Sequence, residues 1–139
     1  MNRNSFIPAF LFLSFFSQFI VGHSNFLYSQ VFTRITTGSI ATDTGNSRAV
    51  TWADYNNDGN VDLFVPNTVH EDNFLYLNNG DGTFTKIISS TIVNDSGIGN
   101  SEDATWGDYD NDGDLDVFIA YMDPNNQLHS NNGDGTFTK

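Results

Sequence analysis

Two short stretches of the chain carry carboxylate and amide side chains at alternate positions around a glycine. They read DYNNDGNVD at 54–62 and DYDNDGDLD at 108–116. Oxygen-bearing side chains at positions 1, 3, 5 and 9 of such a loop, with a backbone carbonyl at position 7, can surround a hard cation. Glycine at position 6 permits the sharp reversal that turns those oxygens inward. The pattern therefore predicts a cation site in each loop, formed by Asp54, Asn56, Asp58, Asn60, Asp62, Asp108, Asp110, Asp112, Asp114 and Asp116.

The expected cation is Ca²⁺. Calcium accepts an irregular shell of about six to eight oxygens, whereas magnesium requires near-octahedral geometry and retains its waters. The first half of the pattern is shared with EF-hand loops. However, the bidentate Glu of an EF-hand is replaced by Val65 and Ile119, and strands are predicted on both sides. Asp62 and Asp116 are expected to close the shell instead. The second loop has more carboxylates and should bind calcium more tightly.

The charge of the chain supports a cationic partner. The net charge is −12, and eight of the 17 acidic residues lie in the two loops. This balance argues against nucleic acid and anionic membranes as partners, because both require basic patches. The chain contains no cysteine, which excludes disulfides and leaves a bound metal as a means of stabilisation. The alternative, solvated acidic turns, explains neither the position of the glycines nor their repetition.

The loops belong to an internal repeat. The segment TWADYNNDGNVDLFV at 51–65 recurs as TWGDYDNDGDLDVFI at 105–119, and NNGDGTFTK is identical at 78–86 and 131–139. A third, partial copy precedes them, because VFTRITTGSI at 31–40 resembles TFTKIISSTI at 83–92. Self-similarity at this period is typical of repeat architectures.

Each unit is predicted to form four short strands. They lie around 49–55 and 104–109, at 61–65 and 115–121, at 73–79 and 125–132, and after the Asn-Gly-Asp-Gly turns from 83 and 136. Asp81 and Asp134 are interpreted as residues of hairpin turns. We expect an all-β chain, in which each unit is a blade of a β-propeller. Two near-complete units cannot close a ring, so we expect a fragment of a longer protein or completion by another chain.

The same segments resemble the FG-GAP/VCBS repeats of integrin-like propellers, and are particularly similar to those of bacterial secreted relatives of cartilage acidic protein. The resemblance covers about residues 30–139. It implies a seven-bladed ring in the full protein, further blades as neighbours, and a calcium loop between the first two strands of a blade. It also implies that Asn60 and Asp114 contribute backbone oxygen, while the other eight residues of the two loops contribute side chains.

The N-terminal residues are predicted to be a secretory signal peptide. Arg3 precedes an apolar run at 6–16, and small residues follow near Gly22 and Ser24. Cleavage after Gly22, after Ser24 or as late as Ser29 fits the pattern. A membrane anchor is the alternative, but polar residues interrupt a stretch that is already short of a full span. We therefore expect a signal peptide at 1–24, repeats at 30–139, a secreted or cell-surface location and no membrane insertion after cleavage.

The residues indicate a binding module and no enzyme. No nucleophile is paired with a base, so the chain is predicted to be non-catalytic. We expect a secreted, calcium-binding propeller for adhesion or for binding an extracellular protein or glycan. The alternatives are the propeller part of a larger extracellular enzyme with its catalytic domain elsewhere, and a structural spacer.

Paired aromatic residues are predicted to form the packing. Trp52 and Trp106 are expected between blades and not at a sugar-binding face, while Tyr55 and Tyr109 are expected to pack beneath the loops. The lone, unrepeated His129 is expected in a loop.

Overall fold

The computed structural model describes residues 32–94, 100–122 and 125–139. The chain divides into two units, Met1–Thr33 and Arg34–Lys139, and the second contains the repeats. The signal peptide predicted at 1–24 lies outside the described residues. In the described ranges, no helix is both long enough and apolar enough to cross a membrane.

The regular secondary structure of the second unit is almost entirely β-strand. One short helix, α1, precedes eight strands that form two four-stranded sheets. The first sheet contains β1 (Thr51–Ala53), β2 (Asp62–Val65), β3 (Phe74–Asn78) and β4 (Phe84–Ile87), and the second contains β5 (Ser101–Gly107), β6 (Asp116–Tyr121), β7 (Gln127–Asn131) and β8 (Phe137–Thr138). Helix α1 spans Ser39–Thr42. The prediction of an all-β fold in two four-stranded units is confirmed.

Both sheets are antiparallel meanders with the same register. Neighbouring strands follow chain order in each sheet, β1–β2–β3–β4 and β5–β6–β7–β8. Phe64 pairs with Leu75 in the first sheet, and their repeat equivalents Phe118 and Leu128 pair in the second. Because successive side chains of a strand point to opposite faces, equal register places equivalent residues on equivalent faces.

The two sheets share one hydrophobic core. The linker between β4 and β5 contributes Ile92 to it, and Ile92 is fully buried. Trp106 of β5 packs against this core, with its ring centroid 6.2 Å from that of Tyr55 in a stacked arrangement. The predicted packing of Trp106 and Tyr55 is therefore confirmed. The buried members of the core are Tyr55, Phe64, Leu75, Ile92, Val93, Ala104, Val117, Ile119, Tyr121 and Phe137.

Two aromatic side chains are exposed on the sheet faces that point away from the shared core. Trp52 is exposed and contacts Phe84 at its edge, so it does not pack between the two described sheets, and its predicted packing against a further blade stays a prediction. Tyr109 is also exposed, in contrast to the buried Tyr55. The physical reason is the same for both residues: the described part of the chain places no further sheet against either outer face.

A smaller apolar cluster lies on the outer face of the first sheet. Leu63, Val65 and Tyr76 are buried in it, and Ile40 of α1 packs against them together with Phe74 and Phe84. Ile40 corresponds to Ile92 in the partial third copy of the repeat. Residues 32–35 of that copy, the counterparts of β4, form no strand.

His129 lies in β7 and is buried, so its predicted location in a loop is wrong. It occupies the position held by Tyr76 in the first sheet and pairs with Val117 of β6. Its Nε2 is 3.0 Å from Oε1 of Gln127 on the same strand. His129 is buried because β7 pairs with β6. The residue type of a single, unrepeated histidine did not indicate this pairing.

Candidate metal centre

Each acidic loop connects the first two strands of its sheet. The reversal uses two residues per loop in the left-handed region, Asn57 (φ 57°) and Gly59 (φ 87°) in the first and Asn111 (φ 62°) and Gly113 (φ 98°) in the second. Glycine adopts this conformation without steric cost, and asparagine is one of the few other residues that tolerate it. The glycines were predicted to have this role, and the asparagines share it.

The first aspartate of each loop holds the turn closed. Oδ1 of Asp54 accepts a hydrogen bond from the backbone N–H of Asp58 (3.0 Å), and Oδ2 accepts one from Gly59 (2.8 Å). Asp108 accepts the two equivalent bonds in the second loop, both 3.1 Å long. The aspartates at position 1 therefore orient the loop backbone, in addition to any role as cation ligands.

The ninth-position aspartates are buried, and each accepts hydrogen bonds from one backbone amide of its own loop and from one of the third strand of its sheet. Asp116 accepts hydrogen bonds from N–H of Tyr109 (3.0 Å) and of Asn131 (2.8 Å). Asp62 accepts the equivalent pair, including one from Asn78 at 2.7 Å. Sequence reasoning missed Asn78 and Asn131 as supports of the loops. The identical NNGDGTFTK segments that they begin were the available signal.

The second loop brings three carboxylates together. Ligand oxygens of Asp108, Asp110 and Asp116 all lie within 4.8 Å of one another, a group that could hold a metal ion. The pKa of Asp110 is raised by desolvation and then by the negative charges of Asp112, Asp116 and Asp108. A cation between these oxygens would relieve that repulsion, because an adjacent positive charge favours the ionised form.

Two predicted ligands of the second loop lie outside this group. Asp112 accepts a hydrogen bond from the backbone N–H of Asp114 at 2.9 Å. The side chain of Asp114 accepts one from Nδ2 of Asn57 in the first loop at 2.7 Å. This bond engages the side chain of Asp114, whereas its backbone carbonyl is the predicted ligand.

The negative charge of the first loop is stabilised differently, by hydrogen bonds from amide groups. In the residues that the structure describes, its three carboxylates do not form a comparable group. Asn56, at position 3, donates from Nδ2 to Asp58 at 3.0 Å. The pKa of Asp58 is lowered by the backbone hydrogen bond from Asn60 and by the one from Asn56, whereas desolvation raises the pKa of Asp62. Amide donors thus supply part of the stabilisation that a cation would supply.

The two Asn-Gly-Asp-Gly segments form the predicted hairpin turns between β3 and β4 and between β7 and β8. Asp134 accepts hydrogen bonds from the backbone and the hydroxyl of Thr136, and the hydroxyl contact is the first cause of its lowered pKa. The turn lies against the acidic loop. Gly133 has a φ of 73°, which favours glycine, and a Cβ added there would approach Oδ2 of Asp114 to 2.6 Å.

The family model of the FG-GAP-like repeat matches residues 67–119 and 108–139. The two matches overlap at the second acidic loop and together cover more than half of the chain. The first acidic loop precedes the matched residues, so the match does not depend on it. No curated protein and no solved structure is significantly similar to the chain.

Proposed function

Because the chain belongs to the FG-GAP-like repeat family, we propose that it is a calcium-binding, β-propeller-like module of a secreted or cell-surface protein. Its two sheets supply the blade architecture, and its acidic loops supply the cation sites. We further propose that it binds an extracellular protein or glycan, as in adhesion. The chain itself is proposed to be a binding module and not an enzyme, because its sequence pairs no nucleophile with a base.

The observation that carries the calcium proposal is the clustering of Asp108, Asp110 and Asp116. All three offer carboxylate oxygen, the ligand type preferred by hard cations, and an irregular set of oxygens suits calcium better than magnesium. Asp116 is oriented by two backbone N–H groups. An ionised carboxylate has about four lone-pair sites, so these bonds leave acceptor capacity for an ion.

The proposed role of the ion is structural. The chain carries a net charge of −12 and no cysteine, so each loop must hold its carboxylates together without disulfides or neighbouring basic residues. Calcium at about ten times its dissociation constant would stabilise the fold by about 1.4 kcal/mol per site. The ion would also fix the loop between the first two strands of each sheet.

Calcium titration by calorimetry tests the proposal, with two matched variants of the full chain. Asp110→Asn removes one carboxylate of the cluster and reproduces the residue found at the equivalent position, Asn56. Asp134→Asn removes the same charge from the hairpin turn and retains the oxygen that accepts from Thr136. We expect Asp110→Asn to weaken calcium binding at the second loop by at least about tenfold, and Asp134→Asn to leave it unchanged.

Two results would contradict the proposal. The first is absence of calcium uptake by the unsubstituted chain at millimolar calcium. The second is an equal loss of affinity in both variants, which would show that net charge and not the cluster attracts the ion. The proposed ligand is tested separately by screening protein and glycan arrays in calcium and in chelator.

A further inference from the structure

A polar cavity lies where the linker between β4 and β5 meets the hairpin between β7 and β8. Its volume is about 420 Å³, within the range of about 300–1,000 Å³ that is typical of sites for small ligands. We call it the linker cavity. Hydroxyl and amide side chains and one aromatic ring line it: Ser89, Ser90, Thr91, Asn94, Thr136 and Phe137. None of these six side chains carries a charge, so the linker cavity suits a neutral polar ligand.

The repeat places a second cavity at the equivalent junction of the first sheet. It has a volume of about 290 Å³ and lies between residues 35–40 and the hairpin that connects β3 to β4. Thr37 and Thr83 line it at the repeat positions of Ser89 and Thr136. We call it the first-sheet cavity. Its recurrence at equivalent positions shows that the cavity belongs to the repeated unit and not to one irregular loop.

The first-sheet cavity also shows which parts of a unit form the wall. The chain that follows β4 is described as far as residue 94, and none of its residues lines the first-sheet cavity. The wall therefore comes from the preceding linker and from the turn that leads into the fourth strand. In the linker cavity both parts are described, and each belongs to a different sheet of the shared core.

Hydrogen bonds fix the shape of the linker cavity. The carbonyl of Ser90 accepts from the backbone N–H groups of Val93 (3.1 Å) and Asn94 (2.9 Å). The hydroxyl of Thr91 donates to the carbonyl of Phe137 at 2.9 Å, which joins the linker to β8. A ligand would therefore enter a site that is already ordered, and binding would spend little free energy on ordering the wall.

One hydroxyl group of the wall lacks a partner. The Oγ of Ser90 is buried and has no hydrogen-bond partner in the described part of the chain. Buried polar groups are nearly always paired with protein or water, so an unpaired one requires an explanation. A serine hydroxyl reaches three staggered positions by rotation about one bond, and a ligand in the cavity can meet it. The first-sheet cavity has Gly38 at this position and offers no such group.

The chemistry of the wall selects the class of ligand. A hydroxyl group both donates and accepts hydrogen bonds, and the hydroxyl groups of a sugar do the same. The net charge of −12 opposes the approach of sulfated, sialylated or uronic sugars. Asp134 adds a negative charge at the rim, because it accepts from the backbone N–H of Thr136 at 3.0 Å. A neutral sugar fits both the wall and the charge.

We propose that the linker cavity binds one neutral sugar residue of a glycan, and that the first-sheet cavity is a weaker copy of the same site. This proposal rests on the glycan ligand of the proposed function and gives that ligand a place on the module. Because the cavity recurs with the repeat, one chain holds two such sites. A surface that displays several copies of the glycan would then be bound more tightly than a single sugar.

The test titrates the full chain, in calcium, with the methyl glycosides of glucose, galactose, mannose, fucose and N-acetylglucosamine. Glucuronic acid and N-acetylneuraminic acid are the charged comparison. Heteronuclear NMR follows the backbone amides, so that binding is located as well as measured. For a single sugar we expect a dissociation constant of about 1 mM, from the affinity per atom that is usual for small ligands.

Two serine variants separate the cavity from the rest of the surface. Ser90→Ala removes the unpaired hydroxyl and leaves the volume of the site almost unchanged. Since that hydroxyl has no partner in the fold, the melting temperature should not decrease. Ser47→Ala is the control, because it removes a hydroxyl from an exposed serine that lines neither cavity.

We expect at least one neutral sugar to shift the amides of the linker and of the turn before β8. Ser90→Ala should weaken this binding by about threefold or more, and Ser47→Ala should not change it. If no neutral sugar shifts those amides, the proposal is overturned, while calcium binding and a protein ligand are measured separately and stand or fall by themselves. Undiminished affinity in Ser90→Ala, or tighter binding of the charged sugars, also overturns it and assigns glycan binding to another part of the module.

Discussion

Nδ2 of Asn57 in the first acidic loop lies 2.7 Å from Oδ1 of Asp114 in the second. The bond joins two loops that are 57 residues apart in the chain. It is a direct connection along which a change in one candidate cation site can reach the other, because Asp114 follows Asp112 and Gly113 in the turn of its own loop.

Replacing Asn57 with Asp should therefore destabilise the protein. The new carboxylate tolerates the positive φ of the position but replaces a donor with a negative charge beside Asp114. We expect a loss of about 1 kcal/mol in the free energy of unfolding, measured by urea denaturation in chelator. Asn111→Asp makes the same change at the equivalent position of the second loop. An equal loss in both variants would assign the effect to net charge instead of to this contact.

Asn56→Asp should increase the calcium affinity of the first loop. The substitution gives that loop the carboxylate that the second loop has at Asp110. Without calcium it should lower stability, because Asn56 donates to Asp58 and a carboxylate there cannot. Calorimetric titration and paired melting curves in calcium and chelator measure both effects. A variant that melts lower in chelator yet binds calcium no more tightly would contradict the assignment of position 3 as a ligand.

Asp116→Ala should destabilise the protein even in chelator. The side chain is buried and accepts from two backbone N–H groups, and its removal leaves both donors without these partners. We expect a loss of about 2–4 kcal/mol in the free energy of unfolding, measured by urea denaturation. Asp112→Ala, at an exposed position with one backbone contact, is the comparison and should lose less. If the two losses in chelator are the same, the backbone contacts of Asp116 do not support the fold.

His129 should make stability fall in mild acid. Burial, and then the charge of Lys139, lower the pKa of His129 below 6.5. The unfolded chain therefore binds a proton as pH drops through about 6.5, while the folded chain does not. Stability is retained above that pH and decreases below it, with a slope of at most about 1.4 kcal/mol per pH unit until the folded pKa is reached.

His129→Phe should remove this component, since the first sheet has an aromatic residue, Tyr76, at the same position. The measurement is the free energy of unfolding from pH 5 to pH 8, relative to the unsubstituted chain. His70→Asn is the control, because it removes a histidine from an exposed position. A pH dependence that survives His129→Phe would assign it to the carboxylates.

The strands and turns were predictable because their signals are local. Alternation about the tryptophans, short β-branched runs and the Asn-Gly-Asp-Gly turns each specify structure within a few residues. The exposure of Trp52 and Tyr109 was not predictable in this way. These residues have nearly the same neighbours in sequence as Trp106 and Tyr55, but the number of sheets packed against them differs.

The candidate site was predictable as a loop but not as a set of contacts. Spacing indicated which residues carry oxygen, and the structure brings Asp108, Asp110 and Asp116 together. The spacing could not indicate that Asp114 contacts Asn57, because that contact depends on the packing of one sheet on the other. Nor could it indicate that Asn131 supports Asp116, because that contact depends on strand pairing. The burial of His129 has the same origin.

The equal register of the two sheets also creates a competition during folding. Because β4 and β8 begin in identical nine-residue segments, the second segment offers β3 the same Phe, Thr and Lys that form three of its four native pairs with β4. Local closure selects the correct partner: the native loop is roughly ten times shorter, which favours it by about 2 kcal/mol in chain entropy. At high concentration, where a second chain offers the same segment without that penalty, exchange of these strands between molecules becomes the expected misfolding route.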